Sequence, residues 1–310
     1  MRCDGYEFMA DSVTKFFNAI RVAGWFHHPD DELAGIAIVG DAVAGCVGRI
    51  GLAHDGVAGA AGPNKGFALQ FLRPEEGFNQ DAEIEFRTRK GWVRRVTLRE
   101  LCAERIGLYP SLAMFDRFTA AVEAIPWARV LDIGGRDRSG HDRSRDFRFA
   151  EYVVLDILPG ENVNVVADAH VLASHFPADH FDAIVSIAVF EHLMMPWTVV
   201  TQMNQVLKPG GIALINTHQT LGMHDMPWDY WRFSDMAWDA LFNRRTGFEI
   251  LERQLDIEQF IVPAVYRDDK ADAEKACGYE VSAVLVRKVG PCELSWSVKP
   301  ADLVSTGYPG

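Results

Sequence analysis

No stretch of the chain supplies the roughly 18–20 uninterrupted apolar residues that a helix needs to cross a bilayer, so no membrane span is expected. The first residues, MRCDGYEFMADSV, lack a long apolar core and a small-residue cleavage site. They do not read as a secretory signal, and a cytoplasmic location is the expectation. Cysteine is scarce. Cys3, Cys46, Cys102, Cys277 and Cys292 lie scattered, with no C-x-x-C pair and no nearby histidine spacing. That argues against a disulfide framework and against a structural zinc. Basic charge is scarce as well, with 31 Lys and Arg against 43 Asp and Glu and a formal net charge of -12. Such a surface repels a phosphate backbone, and the one arginine-rich stretch, Arg136 to Arg148, is interleaved with Asp137, Asp142 and Asp146. No nucleic-acid partner is expected. Internal repeats and low-complexity segments are absent too.

What is present divides in two, as 310 residues lead one to expect. Residues 11–20 have room for one or two helical turns. After them come short runs, RVAGWFHH, LAGIAIVG, CVGRIGLAH, GFALQFL, AEIEFRTR and WVRRVTL, separated by Gly, Asp, Pro and Asn. Short strands with frequent turn signals predict a small all-β, sandwich-like accessory domain over residues 1–108, closed by a helix near 98–107. Trp25 is expected in its core, and His27 and His28 at a solvated strand end. Its expected role is targeting, oligomerisation or glycan holding, which leaves a homo-oligomer open.

From about residue 109 the pattern becomes strand–helix–strand. A helix is expected at 111–125, with Ser111 as its N-cap and Pro126 past its end. Strands are expected at 129–134, 152–157, 164–167, 181–187 and 211–217, mostly as continuous apolar runs of the kind buried on both faces. Lys208-Pro209-Gly210-Gly211 reads as the stop of the helix that begins near Pro196. FEILERQL and YEVSAVLVR are expected as a final antiparallel pair. The fold class is α/β, a mostly parallel sheet with helices on both sides, over residues 109–292. Residues 293–310 read as a loosely held tail.

Within this region the polar residues recur at strand ends. Val130-Leu131-Asp132-Ile133-Gly134-Gly135 closes a buried strand in a glycine turn, where a backbone without Cβ permits close approach of a ligand. Tyr152-Val153-Val154-Leu155-Asp156 puts a carboxylate at the end of the next strand, suited to a ribose diol. Val166-Ala167-Asp168-Ala169, the run FDAIVSIAVFEHL and Leu207-Lys208-Pro209-Gly210-Gly211 follow in order. This ordered set resembles the class I S-adenosylmethionine (SAM)-dependent methyltransferases, in the branch acting mostly on small molecules, over roughly residues 111–287. The resemblance implies a Rossmann-like seven-stranded methyltransferase sheet and SAM as cofactor. It implies that the loop Asp132 to Gly135 contacts the methionine part, with Asp156 at the ribose and the neighbouring Ile157 also on the cofactor. Asp168 would hold the adenine amino group, Ala169 would line the ring, and Ser186, Ile187 and Ala188 would pass beside the sulfonium.

One stretch departs from the family pattern. Arg136 and Arg138 stand where further glycines are usual, and RDRSGHDRSRDF replaces the usual first helix. Either the loop is rebuilt, with Arg136 on the SAM carboxylate, or SAM binding is weakened.

An acceptor is expected beyond the carboxyl ends of the strands. His192, His218 and His224 are the groups there with near-neutral intrinsic pKa, and one of them is expected to serve as catalytic base. His218 and His224 rank first, and Glu191 and Asp229 are placed to orient or assist. The convergence of His and Asp leaves room for a metal site, but no pairwise spacing demands one, and none is expected. Trp228, Tyr230, Trp231 and Arg232 are the expected substrate-binding residues, the aromatics by stacking on a sugar face or planar ring. Trp238, Leu241 and Phe242 have helical spacing and are expected in the core. The segment PWDYWRFS resembles a stretch in methyltransferases encoded with polysaccharide-assembly enzymes, which implies a sugar or glycan hydroxyl as acceptor. Two other readings stand beside it, a small aromatic or amine metabolite as acceptor, and a methyltransferase-fold protein that acts only as a binding or scaffold partner.

Overall fold

The computed structural model describes residues 2–3, 5–16, 19–39, 44–54, 65–72, 80–106, 109–138, 140, 142–148, 150–261 and 277–303. It divides into two compact units, Met1–Tyr109 and Pro110–Gly310.

The first unit is built from β1 (Arg2–Cys3), β2 (Tyr6–Phe16), β3 (Ala19–His27), β4 (Leu33–Val39), β5 (Ala44–Leu52), β6 (Gly66–Leu72), β7 (Glu83–Thr88) and β8 (Val93–Thr97), then helix α1 (Leu98–Ile106). These form a five-stranded antiparallel sheet, β1-β2-β3-β6-β5, and a three-stranded one, β4-β7-β8. Residues of both sheets meet in one core, with Phe8, Phe67 and Phe71 from the first and Ile36, Ile84 and Phe86 from the second. The described residues within 11–20 form no helical turn. Val13 and Thr14, β-branched residues that suit a pleated surface, pair instead with Val22 and Arg21 of β3. Trp25 is not in the core either. The period-two alternation of β3 turns Ile20, Val22, Gly24 and Phe26 inward, which puts Trp25 on the other face, half-buried. His28 stacks on Tyr6 with ring centroids 4.1 Å apart, so it is a packed residue beyond the strand end.

The second unit carries α2 (Pro110–Glu123), β9 (Arg129–Ile133), β10 (Glu151–Asp156), β11 (Val165–Val166), β12 (Phe181–Ile187), α3 (Pro196–Val206), β13 (Leu207–His218), α4 (Ala237–Leu241), β14 (Phe248–Phe260), β15 (Cys277–Lys288) and α5 (Pro300–Leu303). Seven strands lie in the order β11-β10-β9-β12-β13-β15-β14. The first five run parallel, and β15 joins antiparallel to both β13 and β14. This is a Rossmann-like, mostly parallel sheet with an antiparallel final pair, as expected. Both faces are covered. Val130 and Val185 pack with Met114, Phe118 and Val122 of α2, while Leu131 and Ile184 join the opposite cluster with Val199 and Met203 of α3 and Trp238 of α4. Trp238, Leu241 and Phe242 are buried, as their spacing predicts.

Local details differ from expectation where tertiary partners intervene. Ser111 is not an N-cap, because its backbone N–H and its hydroxyl both donate to Asp256 of β14, at 2.8 and 2.6 Å. Lys208-Pro209-Gly210-Gly211 lies within β13, which starts at Leu207 directly after α3; Gly210, at φ +80°, takes the left-handed turn that this start requires. The tail is held for part of its length. The Glu293 N–H donates to the Arg245 carbonyl at 2.8 Å, and the Trp296 indole N–H lies 3.2 Å from the Met195 sulfur. Residues 304–310 lie outside the described residues.

In the first unit one buried carboxylate generates a pH test. Burial pushes the Asp31 carboxyl up, but hydrogen bonds from Thr88, the Glu32 N–H, the Tyr6 hydroxyl and the Lys90 N–H outweigh it and hold the group at about 2, against 3.8 unperturbed. Its folded-state pKa is depressed, so its contribution is present above pH 3.8 and lost as pH falls through about 2. Asp31→Asn is expected to lower the thermal midpoint of the full chain at neutral pH. It should also flatten the loss of stability across that acid window, read by circular dichroism. An unchanged acid limb would remove Asp31 from the account.

Candidate functional site

The parallel strands end on one edge of the second sheet, where Gly134, Asp156, Ala188 and His218 follow or close β9, β10, β12 and β13. The glycine turn is fixed by the protein's own packing. Gly134 has φ +74°, and a Cβ there would lie 2.2 Å from Val189; a Cβ on Gly135 would lie 2.3 Å from the Asp132 carboxylate. Asp132 is therefore beneath the loop and not part of its lining. It is wholly buried, and Arg143 grips it through two parallel bonds, Nε to Oδ2 at 2.9 Å and Nη2 to Oδ1 at 2.8 Å. The Tyr152 hydroxyl donates to the same Oδ2 at 2.8 Å. Burial raises the Asp132 carboxyl, opposed by Arg143, and burial together with the Asp132 charge raises the Tyr152 hydroxyl. The expected contact of Asp132 with a methionine group gives way to this ion pair. Arg143, which sequence reasoning missed, sits on the single 3₁₀ turn, Arg143–Asp146, found between β9 and β10 among the described residues.

Arg136 lies against Asp156. Its backbone N–H donates to Asp156 Oδ2 at 3.3 Å, and its Nε lies 3.6 Å from Oδ1, so the nearest acid draws the guanidinium. That Nε is buried with no hydrogen-bond partner. Asp156 accepts from the Leu158 N–H at 2.9 Å, beside an exposed Ile157. Asp168 caps the turn Ala169–Ser174 through Oδ1, which takes the His170 N–H at 2.9 Å and its Nδ1 at 2.6 Å. The Met195 N–H donates to His170 Nε2 at 3.1 Å, which fixes the proton on Nδ1. About a third of the Asp168 side chain, 32%, stays exposed. The hydroxyl of Ser186 donates to the Ile133 carbonyl at 3.2 Å, and Ala188, strained at φ +54°, donates its N–H to Asn216 at 2.8 Å.

The expected catalytic residues come together around Glu191. Its carboxylate is wholly buried, and Oε2 accepts from the Thr217 hydroxyl at 2.5 Å. Around Oε1 stand three imidazole Nε2 atoms, His218 at 3.2 Å, His192 at 3.8 Å and His224 at 4.0 Å. None is aligned for a hydrogen bond, and Oε1 is left without a hydrogen-bond partner. Burial raises the Glu191 carboxyl, but His218 and Thr217 outweigh it and hold the group below the usual carboxylate range. Burial lowers His218, and the closeness of Glu191 turns the balance upward.

The loop after β13 is tied to this cluster. The N–H groups of Tyr230 and Trp231 both donate to the Glu191 carbonyl, at 2.9 and 3.1 Å, and both side chains are exposed, at 37% and 38%. Trp228 offers its carbonyl to His192 Nδ1 at 2.9 Å. Arg232 is not available to a substrate. All five of its donors are used, on Asp229 at 2.5 and 2.8 Å and on the carbonyls of Leu221, Gly222 and Trp231 at 3.0, 3.0 and 2.8 Å. Asp229, with its side chain 1% exposed, also takes the His224 N–H at 2.9 Å, so it positions His224 and does not meet a ligand. Arg232 holds the Asp229 carboxyl well below the usual range.

Residues 91–253, just over half of the chain, match the model of a family described as a methyltransferase domain. A search of curated proteins finds no match. Solved structures similar to the chain include a SAM-dependent methyltransferase from Archaeoglobus fulgidus, at 15% identity over 57% of this chain and 92% of that one, with a TM-score of 0.43. A SAM-dependent methyltransferase from Aquifex aeolicus is 13% identical over 60% of this chain and 93% of its own, with a TM-score of 0.40. The YcgJ protein from Bacillus subtilis is 18% identical over 56% and 95%, with a TM-score of 0.41.

Arg143→Ala leaves the Asp132 carboxylate buried without its counter-ion. The expected cost is about 3–5 kcal/mol of unfolding free energy by urea titration. Replacing both partners with apolar residues, Asp132→Leu with Arg143→Met, should recover much of it. A loss below about 1 kcal/mol in the single variant would show that the pair does not hold the loop.

Proposed function

The chain belongs to the methyltransferase-domain family and is a SAM-dependent methyltransferase, and we propose that its acceptor is a hydroxyl group of a sugar or glycan intermediate. The observation that carries this reading is the junction at Glu191. Its side chain gathers three imidazoles, and its carbonyl holds two exposed aromatic residues. One residue thus joins groups that can receive a hydroxyl proton to flat apolar surfaces of the kind that stack on a sugar face.

The residues on the cofactor side fit SAM. The unpartnered Arg136 Nε and the open remainder of the Asp168 carboxylate are polar groups left unsatisfied at the strand ends. Asp156 would hold the ribose hydroxyls, Asp168 the adenine amino group, and Ala169 and Ile157 the ring, with Gly134, Gly135 and the stretch Ser186 to Ala188 forming the wall beside the methionine part. When bound, SAM supplies an electrophilic methyl group on a sulfonium. The protein's part is to orient the acceptor oxygen, exclude water and accept the proton. His218 and His224 are assigned the last task, and Tyr230 and Trp231 the first.

SAM-dependent radiolabelling of a glycan extract tests the acceptor. Labelled glycan is the expected result, and label confined to aromatic or amine metabolites would overturn it. Asp156→Ala should weaken SAM binding by about 1.5–3 kcal/mol in a calorimetric titration, the range for a hydrogen bond to a charged group. An unchanged affinity would remove Asp156 from the site. His218→Ala and His224→Ala should lower kcat roughly 10²–10⁴-fold for the one that acts as base, with SAM affinity preserved. Full turnover in both would exclude a base on this cluster.

A further inference from the structure

We propose that Glu191, His218 and His224, with His192 beside them, bind one divalent transition-metal ion of the zinc type. Three features of the cluster point to a cation. The Glu191 carboxylate is wholly buried, and one of its oxygens, Oε1, has no hydrogen-bond partner. An anionic oxygen removed from water and left unanswered is costly, so something positive is required at that point.

The second feature is the direction of the imidazoles. His192 Nδ1 lies 2.9 Å from the Trp228 carbonyl, and His224 Nδ1 lies 3.1 Å from the Gly222 carbonyl. A carbonyl only accepts, so each Nδ1 carries its proton and each neutral ring offers its Nε2 lone pair. Those two lone pairs and His218 Nε2 surround the same oxygen. Donating the far ring N–H to a carbonyl is how metal-binding histidines are oriented. The lone pairs of His192 and His224, turned toward a carboxylate oxygen, repel it unless a positive charge lies between them.

The third feature is the spacing. Zinc–nitrogen and zinc–oxygen bonds of about 2.0–2.2 Å in a tetrahedron place ligand atoms about 3.3–3.5 Å apart. His218 and His224 Nε2 lie 3.2 and 4.0 Å from Oε1, and the three ligand atoms all lie within 4.8 Å of one another, so closure onto an ion needs movements of up to about an ångström. Two imidazoles with one carboxylate favour zinc or a neighbouring first-row ion over magnesium and calcium, which favour oxygen. The ligands lie at positions 191, 218 and 224, a spacing that matches no short metal motif and is brought together after the ends of β12 and β13.

Binding of the ion stands apart from the acceptor assignment, but its task rests on that reading. With the ion bound, His218 and His224 are ligands and the proton-accepting role given to them belongs to the ion-free site; a hydroxyl coordinated to the ion would instead be made more acidic, as bound water is. The test uses the full chain loaded with Zn²⁺ or Co²⁺, passed through a desalting column and measured by elemental analysis and visible absorption. About one ion per chain and an intense tetrahedral Co²⁺ spectrum are expected. Glu191→Gln and His224→Ala should each weaken retention by more than the roughly 10–100-fold that follows loss of a ligand's supporting hydrogen bond. Circular dichroism establishes that each variant is folded, and His224, the most exposed of the four, is the safer substitution. No ion retained by the unaltered chain, or equal retention by both folded variants, would overturn the proposal. SAM titration of the same samples separates the two readings, because a chain that binds SAM and retains no ion fails only this one.

Discussion

A carboxylate taken wholly out of water must be answered by its surroundings, and at Glu191 the answer organises everything around it. Thr217 satisfies one oxygen, and three histidines crowd the other. The backbone of the same residue fixes the start of the Tyr230–Trp231 segment, while Arg232 and Asp229 lock the loop that carries His224. Without the buried acid, the histidines would have no common point and the aromatic residues no anchor. The side proposed for the acceptor is thus a single polar assembly that follows the ends of β12 and β13.

The cofactor side obeys the same rule with a different partner. Asp132 lies under the glycine turn, and Arg143 and Tyr152 neutralise it there. The segment between β9 and β10 has little helix of its own, so the ion pair takes over the work of pinning the loop. Arg136, set against Asp156, extends that pattern. An arginine-rich, glycine-poor loop is compatible with this fold because buried acids at the strand ends give the arginines somewhere to go.

The sheet was legible in the sequence because its signals are local. Apolar runs ending in glycine or an acid mark buried strands, and five of them in order fix the strand sequence β9 to β13. The final antiparallel pair was legible for the same reason. What was hidden depends on contacts between distant residues. Arg143 finds Asp132 across eleven positions, and nothing in a row of alternating Arg and Asp says which acid each arginine will take. Trp25 and Phe26 differ by one position, and in a strand one position decides which face is buried. His192, His218 and His224 were visible as titratable groups, but their convergence on Glu191 is a property of the fold. Arg232 looked like a substrate ligand because arginine often is one; only the structure reveals that its five donors are already used.

We propose that the strand-end acids and the Glu191 assembly belong to one methyl-transfer site. A crystal structure with S-adenosylhomocysteine tests it most directly. The account predicts the ribose against Asp156, the adenine against Asp168, and the sulfur directed toward the histidines around Glu191. A product bound elsewhere, or one whose sulfur points away from that cluster, would contradict it.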